Sequence, residues 1–153
     1  MTAKKIYEIG EIPSLGEVPE EMYAWVIRED RLGFPEDAMQ IEKMPVQKPG
    51  KDEVSIEQKA IGLNYIDTYH RSGLYPLKLP IGLGLEGAGL ITEVGSNVKN
   101  FKVGDKVAYA AIPLGSYSTH RNFPASKIVK IPEGVDFEVA ATLMTKGLTT
   151  YSV

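Results

Sequence analysis

The chain has no cysteine in 153 residues and only two histidines, His70 and His120. Without cysteine there can be no disulfide framework, no thiolate zinc site and no sulfur nucleophile, which removes several enzyme classes at once. An excess of positive charge is also lacking: 17 basic against 20 acidic residues give a formal net charge of -3. No basic field is therefore available to gather nucleic acid or an anionic membrane surface. No stretch approaches the roughly 18 apolar residues that a membrane-spanning helix needs. The N-terminus MTAKKIYEIGEIP has no apolar run after its lysines of the kind a secretory signal carries. The expectation is a cytoplasmic protein that engages neither nucleic acid nor membrane. What the chain does have, 43% hydrophobic residues at this length, supplies one conventional core.

Gly10, Pro13, Gly16 and Pro19 interrupt residues 1–21 before any helix or ladder can lengthen, so this stretch reads as an extended arm. From Met22 the pattern changes to short β-prone segments bounded by Gly, Pro, Asp or Asn: Met22 to Arg28, Gln40 to Met44, Glu53 to Leu63, Ala88 to Val94, Val103 to Ala110 and Lys127 to Ile131. In the third, Val54, Ile56 and Ala60 alternate with Ser55, Glu57 and Lys59, as in a half-buried strand. Short strands without alternating long helices predict a mainly β fold with few helices, antiparallel and curved into a partly open barrel. The exception is the C-terminus, where Phe137, Ala140, Ala141, Met144, Leu148 and Tyr151 recur at helical spacing after Asp136, an N-cap residue type. This pattern is still running at Val153 with no stop signal, so the expectation is a truncated chain or gene fragment.

Gly82, Gly84 and Gly87 spell G-x-G-x-x-G, with Asp105 downstream at the distance of a ribose-binding acid. A dinucleotide site needs a strand before the first glycine and a helix after the last, so that amide N–H groups converge on a pyrophosphate. Here Pro76 and Pro80 precede the glycines, and Gly89 to Gly95 reads as a strand. The triplet is better explained as a tight turn, and no Rossmann domain is expected in this chain.

The stretch GLNYIDTYHRSGLYP, residues 62–76, resembles the quinone oxidoreductase, or zeta-crystallin-like, branch of the medium-chain dehydrogenase/reductase superfamily. GLGLEGAG at 82–89, EVGSNVKNFKVGDKVAYA at 93–110, LGSYS at 114–118 and LMTKGLTTY at 143–151 extend that resemblance in order. The N-terminal third, including IYEIGEIPSLGEVPEEMYAWVIR and PEDAMQIE at 35–42, resembles instead crotonyl-CoA carboxylase/reductase of the same superfamily. The resemblance implies a GroES-like catalytic domain over residues 22–135 and, over 136–153, the start of a helix that links to an NADPH-binding domain. It implies reduction of quinones or α,β-unsaturated carbonyls by hydride transfer, in a homo-oligomer. Enoyl-CoA reduction and a non-catalytic binding or assembly module are the alternatives.

Zinc-dependent relatives carry a Cys near the position of Asn64 and a His at that of Leu85, so the resemblance implies no metal. Without a Lewis acid, the hydride-transfer barrier must be lowered by orientation and by hydrogen bonds to the oxygen where charge develops. The resemblance places Asn64, Tyr69 and Tyr75 in the catalytic cleft, and Asn64, Tyr65, Tyr75, Lys146 and Thr149 beside the cofactor. From the residues alone, Asn64 reads rather as an Asx-turn, Tyr69 and Tyr75 as half-buried rim aromatics and Lys146 as a solvated helix residue. Asp67 and His70 read as surface groups on a short helical turn. Glu86 reads as a carboxylate that satisfies buried backbone or pairs with a cation. Tyr23, Trp25, Tyr109 and Met144 read as packing residues.

Overall fold

The computed structural model describes residues 4–152. Along the chain run β1 (Glu21–Ile27), α1 (Pro35–Ala38), β2 (Gln40–Pro45), β3 (Glu53–Gly62), α2 (Tyr65–Ser72), β4 (Ile81–Gly82), β5 (Glu86–Val94), β6 (Lys106–Ala110), β7 (His120–Pro124), β8 (Val129–Lys130) and α3 (Phe137–Tyr151). The strands form a three-stranded sheet, β2-β1-β4, and a five-stranded sheet, β7-β3-β5-β6-β8. Every ladder is antiparallel. The segment before β7 joins the two sheets: Trp25 N–H donates to Tyr117 O at 2.8 Å, and Thr119 N–H donates to Tyr23 O at 2.9 Å. The two sheets do not close, and the buried apolar residues gather in three clusters, around Phe123, around Ala141 and around Leu83.

All six strands expected from periodicity form, although the last shrinks to Val129–Lys130. Two further strands, β4 and β7, carry no legible alternation. His120, Arg121 and Asn122 make β7 look like a loop, yet His120 and Arg121 are buried. Arg121 reaches burial without a carboxylate. Its guanidinium lies 4.4 Å from the Phe123 ring centre and donates to Pro113 O at 2.7 Å and Ser116 Oγ at 3.1 Å. The half-buried reading of β3 is corrected as well. Val54, Ser55, Ile56 and Glu57 are all buried, because irregularities at Ser55/Ile56 and Gln58/Ala60 break the two-residue period.

Burial and the nearby Lys59 charge hold the His120 imidazole neutral, its pKa lowered from 6.5 to about 4. The unfolded chain takes up a proton between those values that the folded chain refuses, so stability is full above pH 6.5 and falls as the pH drops towards 4. The loss by pH 4.5 is on the order of 2 to 3 kcal/mol. Urea unfolding of the parent and of His120→Gln across this range checks it: the variant should lose most of that slope, and equal slopes would assign the acid sensitivity elsewhere.

The C-terminal helix forms as the spacing predicts, starting after Asp136, whose side chain makes no capping hydrogen bond. Ala140 and Ala141 meet Ala88 and Ala108 of the sheet, and these small side chains let α3 lie close across β3, β5 and β6. Met144 packs on the same cluster, and Tyr109 sits wholly within the main core. The sheet covers the helix's apolar face only as far as Met144; Leu148 and Tyr151 remain 62% and 93% exposed. The arm, residues 4–20, has no helix or strand and is tied to β1 by Glu21 N–H donating to Lys5 O at 2.8 Å and Tyr23 Oη donating to Glu8 at 3.2 Å. No helix among the described residues is long and apolar enough to cross a membrane.

Candidate active site

Gly62, at the end of β3, pairs with Glu86, at the start of β5. A side chain at 62 would collide with the Ala141 carbonyl oxygen of α3 and with the Glu86 carboxylate. Glycine therefore lets α3 rest on the ladder directly above an acidic group. Glu86 is 0% exposed, so its charge must be compensated inside the protein. The Thr145 N–H of α3 donates to Oε1 at 2.7 Å, and Asn64 Nδ2 donates to Oε2 at 2.8 Å. Lys146 Nζ lies 3.3 Å from the same Oε2 and 3.3 Å from Asn64 Oδ1. Three residues far apart in sequence thus form one hydrogen-bonded unit.

Asn64 stands immediately before α2 and is fixed from a second side. Its N–H donates to Asp67 Oδ2 at 2.9 Å, and that oxygen also accepts the Tyr117 hydroxyl at 2.6 Å. Burial, reinforced by the Asp67 carboxylate, raises the Tyr117 pKa, so the phenol stays a donor. Asp67 and His70 are buried, not exposed as their spacing implied, because α2 turns them onto Tyr117 and the loop beyond. Among the described residues no group of three or more His, Asp or Glu side chains is placed to hold a metal ion.

The tyrosines make an aromatic rim that begins at Tyr65, directly after Asn64. Tyr65 and Tyr69 meet edge to face with centroids 5.3 Å apart, and the Tyr69 and Tyr75 rings lie 5.1 Å apart. Tyr65 is 75% exposed and offers a free aromatic face. Thr149 lies one turn beyond Thr145, and its hydroxyl is turned back to donate to the Thr145 carbonyl at 2.8 Å. Asn64 and Lys146 are thus joined directly, the three tyrosines meet by edge-to-face and tilted ring contacts, and Thr149 stays outside both groups. Glu86, which organises the unit, was expected only to be paired; its signal was a carboxylate set within the apolar run Gly-Leu-Glu-Gly-Ala-Gly.

The Gly82, Gly84, Gly87 triplet is a turn between two strands. Gly84 has φ +94°, and a side chain there would strike the Tyr117 ring; the chain then enters β5, not a helix.

Comparison with known proteins places residues 50–133 in a match to the alcohol dehydrogenase GroES-like domain. The Pseudomonas aeruginosa quinone oxidoreductase is 59% identical over 104 residues, covering 67% of this chain and 32% of that protein. The Cereibacter sphaeroides crotonyl-CoA carboxylase/reductase is 42% identical over 182 aligned positions, covering 97% of this chain and 42% of that protein. Among solved structures, the Escherichia coli quinone oxidoreductase complexed with NADPH superposes with a TM-score of 0.80 at 45% identity, covering 84% of this chain and 39% of that one. The chain therefore spans about a third to two fifths of the length of the relatives it matches.

Proposed function

The chain belongs to the family of alcohol dehydrogenase GroES-like domains, and from that premise we propose that it is the substrate-side half of a zinc-independent reductase acting on quinones or α,β-unsaturated carbonyls. The observation that carries this reading is the Asn64–Glu86–Lys146 unit beside the tyrosine rim. It gathers an amide, an ammonium and phenols on and around α2 and α3, and these are groups that can orient a carbonyl and meet developing charge. On this reading residues 22–135 are the catalytic domain, and residues from 136 lead to a nucleotide-binding domain and a homo-oligomer, with Leu148 and Tyr151 as the apolar surface left for such contacts.

The donor set also fits a reduced nicotinamide cofactor. Asn64 Oδ1 and Lys146 Nζ offer an acceptor and a donor side by side, and the neighbouring Thr145 hydroxyl is buried with no partner among the described residues. Asn64, Tyr65, Tyr75 and Lys146 would hold the nicotinamide end of NADPH, which supplies hydride when bound. Thr149 would contribute only through its hydroxyl oxygen, since its hydrogen is committed to the helix. Among the described residues the glycine triplet of the right spacing opens into β5 and so offers the pyrophosphate no helix N-terminus.

Crotonyl-CoA reduction is the second reading. It is favoured by the arm, which the crotonyl-CoA carboxylase/reductase relative matches while the Pseudomonas aeruginosa one covers 67% of the chain. A two-part experiment decides. Calorimetric titration of this chain with NADPH should show no micromolar binding. The same chain joined to the nucleotide-binding half of the Pseudomonas aeruginosa relative should oxidise NADPH with a simple quinone faster than with crotonyl-CoA. The reverse preference would select the enoyl-CoA reading, and no turnover of either would leave a binding or assembly module.

A further inference from the structure

We propose that Lys146, held in place by Glu86, is the catalytic residue that meets the negative charge on the substrate oxygen and protonates it. This rests on the reductase reading above. An ammonium has three N–H donors. Two of those on Lys146 point to Glu86 Oε2 and Asn64 Oδ1, and the side chain is 51% exposed, so the third faces outward. The Asn64 amide cannot take this part, because its Nδ2 is turned inward onto Glu86 and its outward end is the carbonyl oxygen, an acceptor. Among the described residues Lys146 is the only cation hydrogen-bonded into the unit. Glu86, wholly buried and anchored by the Thr145 N–H, is the positioning residue for both.

The step balances. Hydride from a reduced nicotinamide brings two electrons and one hydrogen to a quinone and leaves a hydroquinone monoanion. One Lys146 N–H bond breaks, its proton forms the new O–H bond, and the amine is reprotonated from the solvent its side chain already faces. Asn64 Oδ1, 3.3 Å from Nζ, then accepts the hydroxyl just formed.

The chain as it exists provides a readout independent of turnover. Titrated with 4-nitrophenolate, a stable mimic of the hydroquinone anion, the parent and Lys146→Arg should show the spectral shift of a bound phenolate. Lys146→Met should bind at least about tenfold more weakly, the loss of one charge-assisted hydrogen bond. In the joined two-domain protein, Lys146→Met should lower kcat by about 100-fold, the scale of general-acid catalysis, with KM little changed. Glu86→Gln should lower kcat in the same direction, and Lys146→Arg should restore part of it. If Lys146→Met binds the phenolate as the parent does, or reduces quinone at the parental rate while Asn64→Ala is slow, the assignment is overturned and the reductase reading stands. If the joined parent is inert to quinones the reductase reading fails, and the phenolate titration alone decides whether Lys146 holds an oxyanion.

Discussion

Gly62→Ala should destabilise the protein by about 3 kcal/mol or more, the upper range for forced overpacking and for disturbing a buried charge. The added carbon has no room, since one neighbour is the Ala141 backbone carbonyl and the other the buried Glu86 carboxylate, and neither is the free end of a flexible side chain. To admit it, α3 must lift from the β3–β5 ladder, which separates the Thr145 N–H and Lys146 from Glu86. The same substitution should therefore also abolish activity in the joined protein. Urea unfolding measures the first effect. Parental stability and activity in Gly62→Ala would mean that α3 does not sit on this glycine, and the site would have to be rebuilt.

Asn64→Ala should lower both kcat/KM and stability. Asn64 holds Lys146 and Glu86 in place, so its loss misplaces the ammonium aimed at developing charge and costs about 2 to 4 kcal/mol of transition-state stabilisation, roughly 30- to 1,000-fold in rate. A stability loss of about 1 to 3 kcal/mol should accompany it, because Glu86 is left buried with one donor fewer. Tyr75→Phe separates the two effects. The ring keeps its tilted contact with Tyr69, and Tyr75 is half-exposed, so its hydroxyl can be removed without unsatisfying the core. Its thermal midpoint should stay at the parental value while kcat/KM falls. Parental kinetics in both variants would reduce Asn64 to a helix-terminus residue and Tyr75 to a rim aromatic.

The β-rich architecture was legible because most strands present apolar residues at a regular period, and α3 because its six apolar positions share one face. Strand β7 was not, since Arg121 is made soluble in the core by aromatic faces and the carbonyls of residues 113 and 114, contacts that exist only once the loop has folded. The same limit applies at the site. That Glu86 needs a partner follows from its apolar surroundings, but the partner is Lys146, sixty residues away, and only the seating of α3 on Gly62 brings them together. Asp67 and His70 were misplaced for a related reason: their helix is polar in isolation, and Tyr117, fifty residues on, decides which face turns inward. The family resemblance, not local pattern, made Asn64 and the tyrosines candidates; the polarity of the Asn64 amide was fixed by tertiary contacts alone.

The central claim is that the Lys146 ammonium, held by Asn64 and Glu86, does the work that zinc does in metal-dependent relatives. The most direct measurement is NADPH-dependent quinone reduction by the joined two-domain protein before and after exhaustive chelation, with the metal content of each sample determined. The structure predicts turnover unchanged with no bound zinc, since Leu85 and Asn64 offer none of the thiolate or imidazole ligands such a site requires. Loss of activity on chelation, restored by stoichiometric zinc, would contradict it.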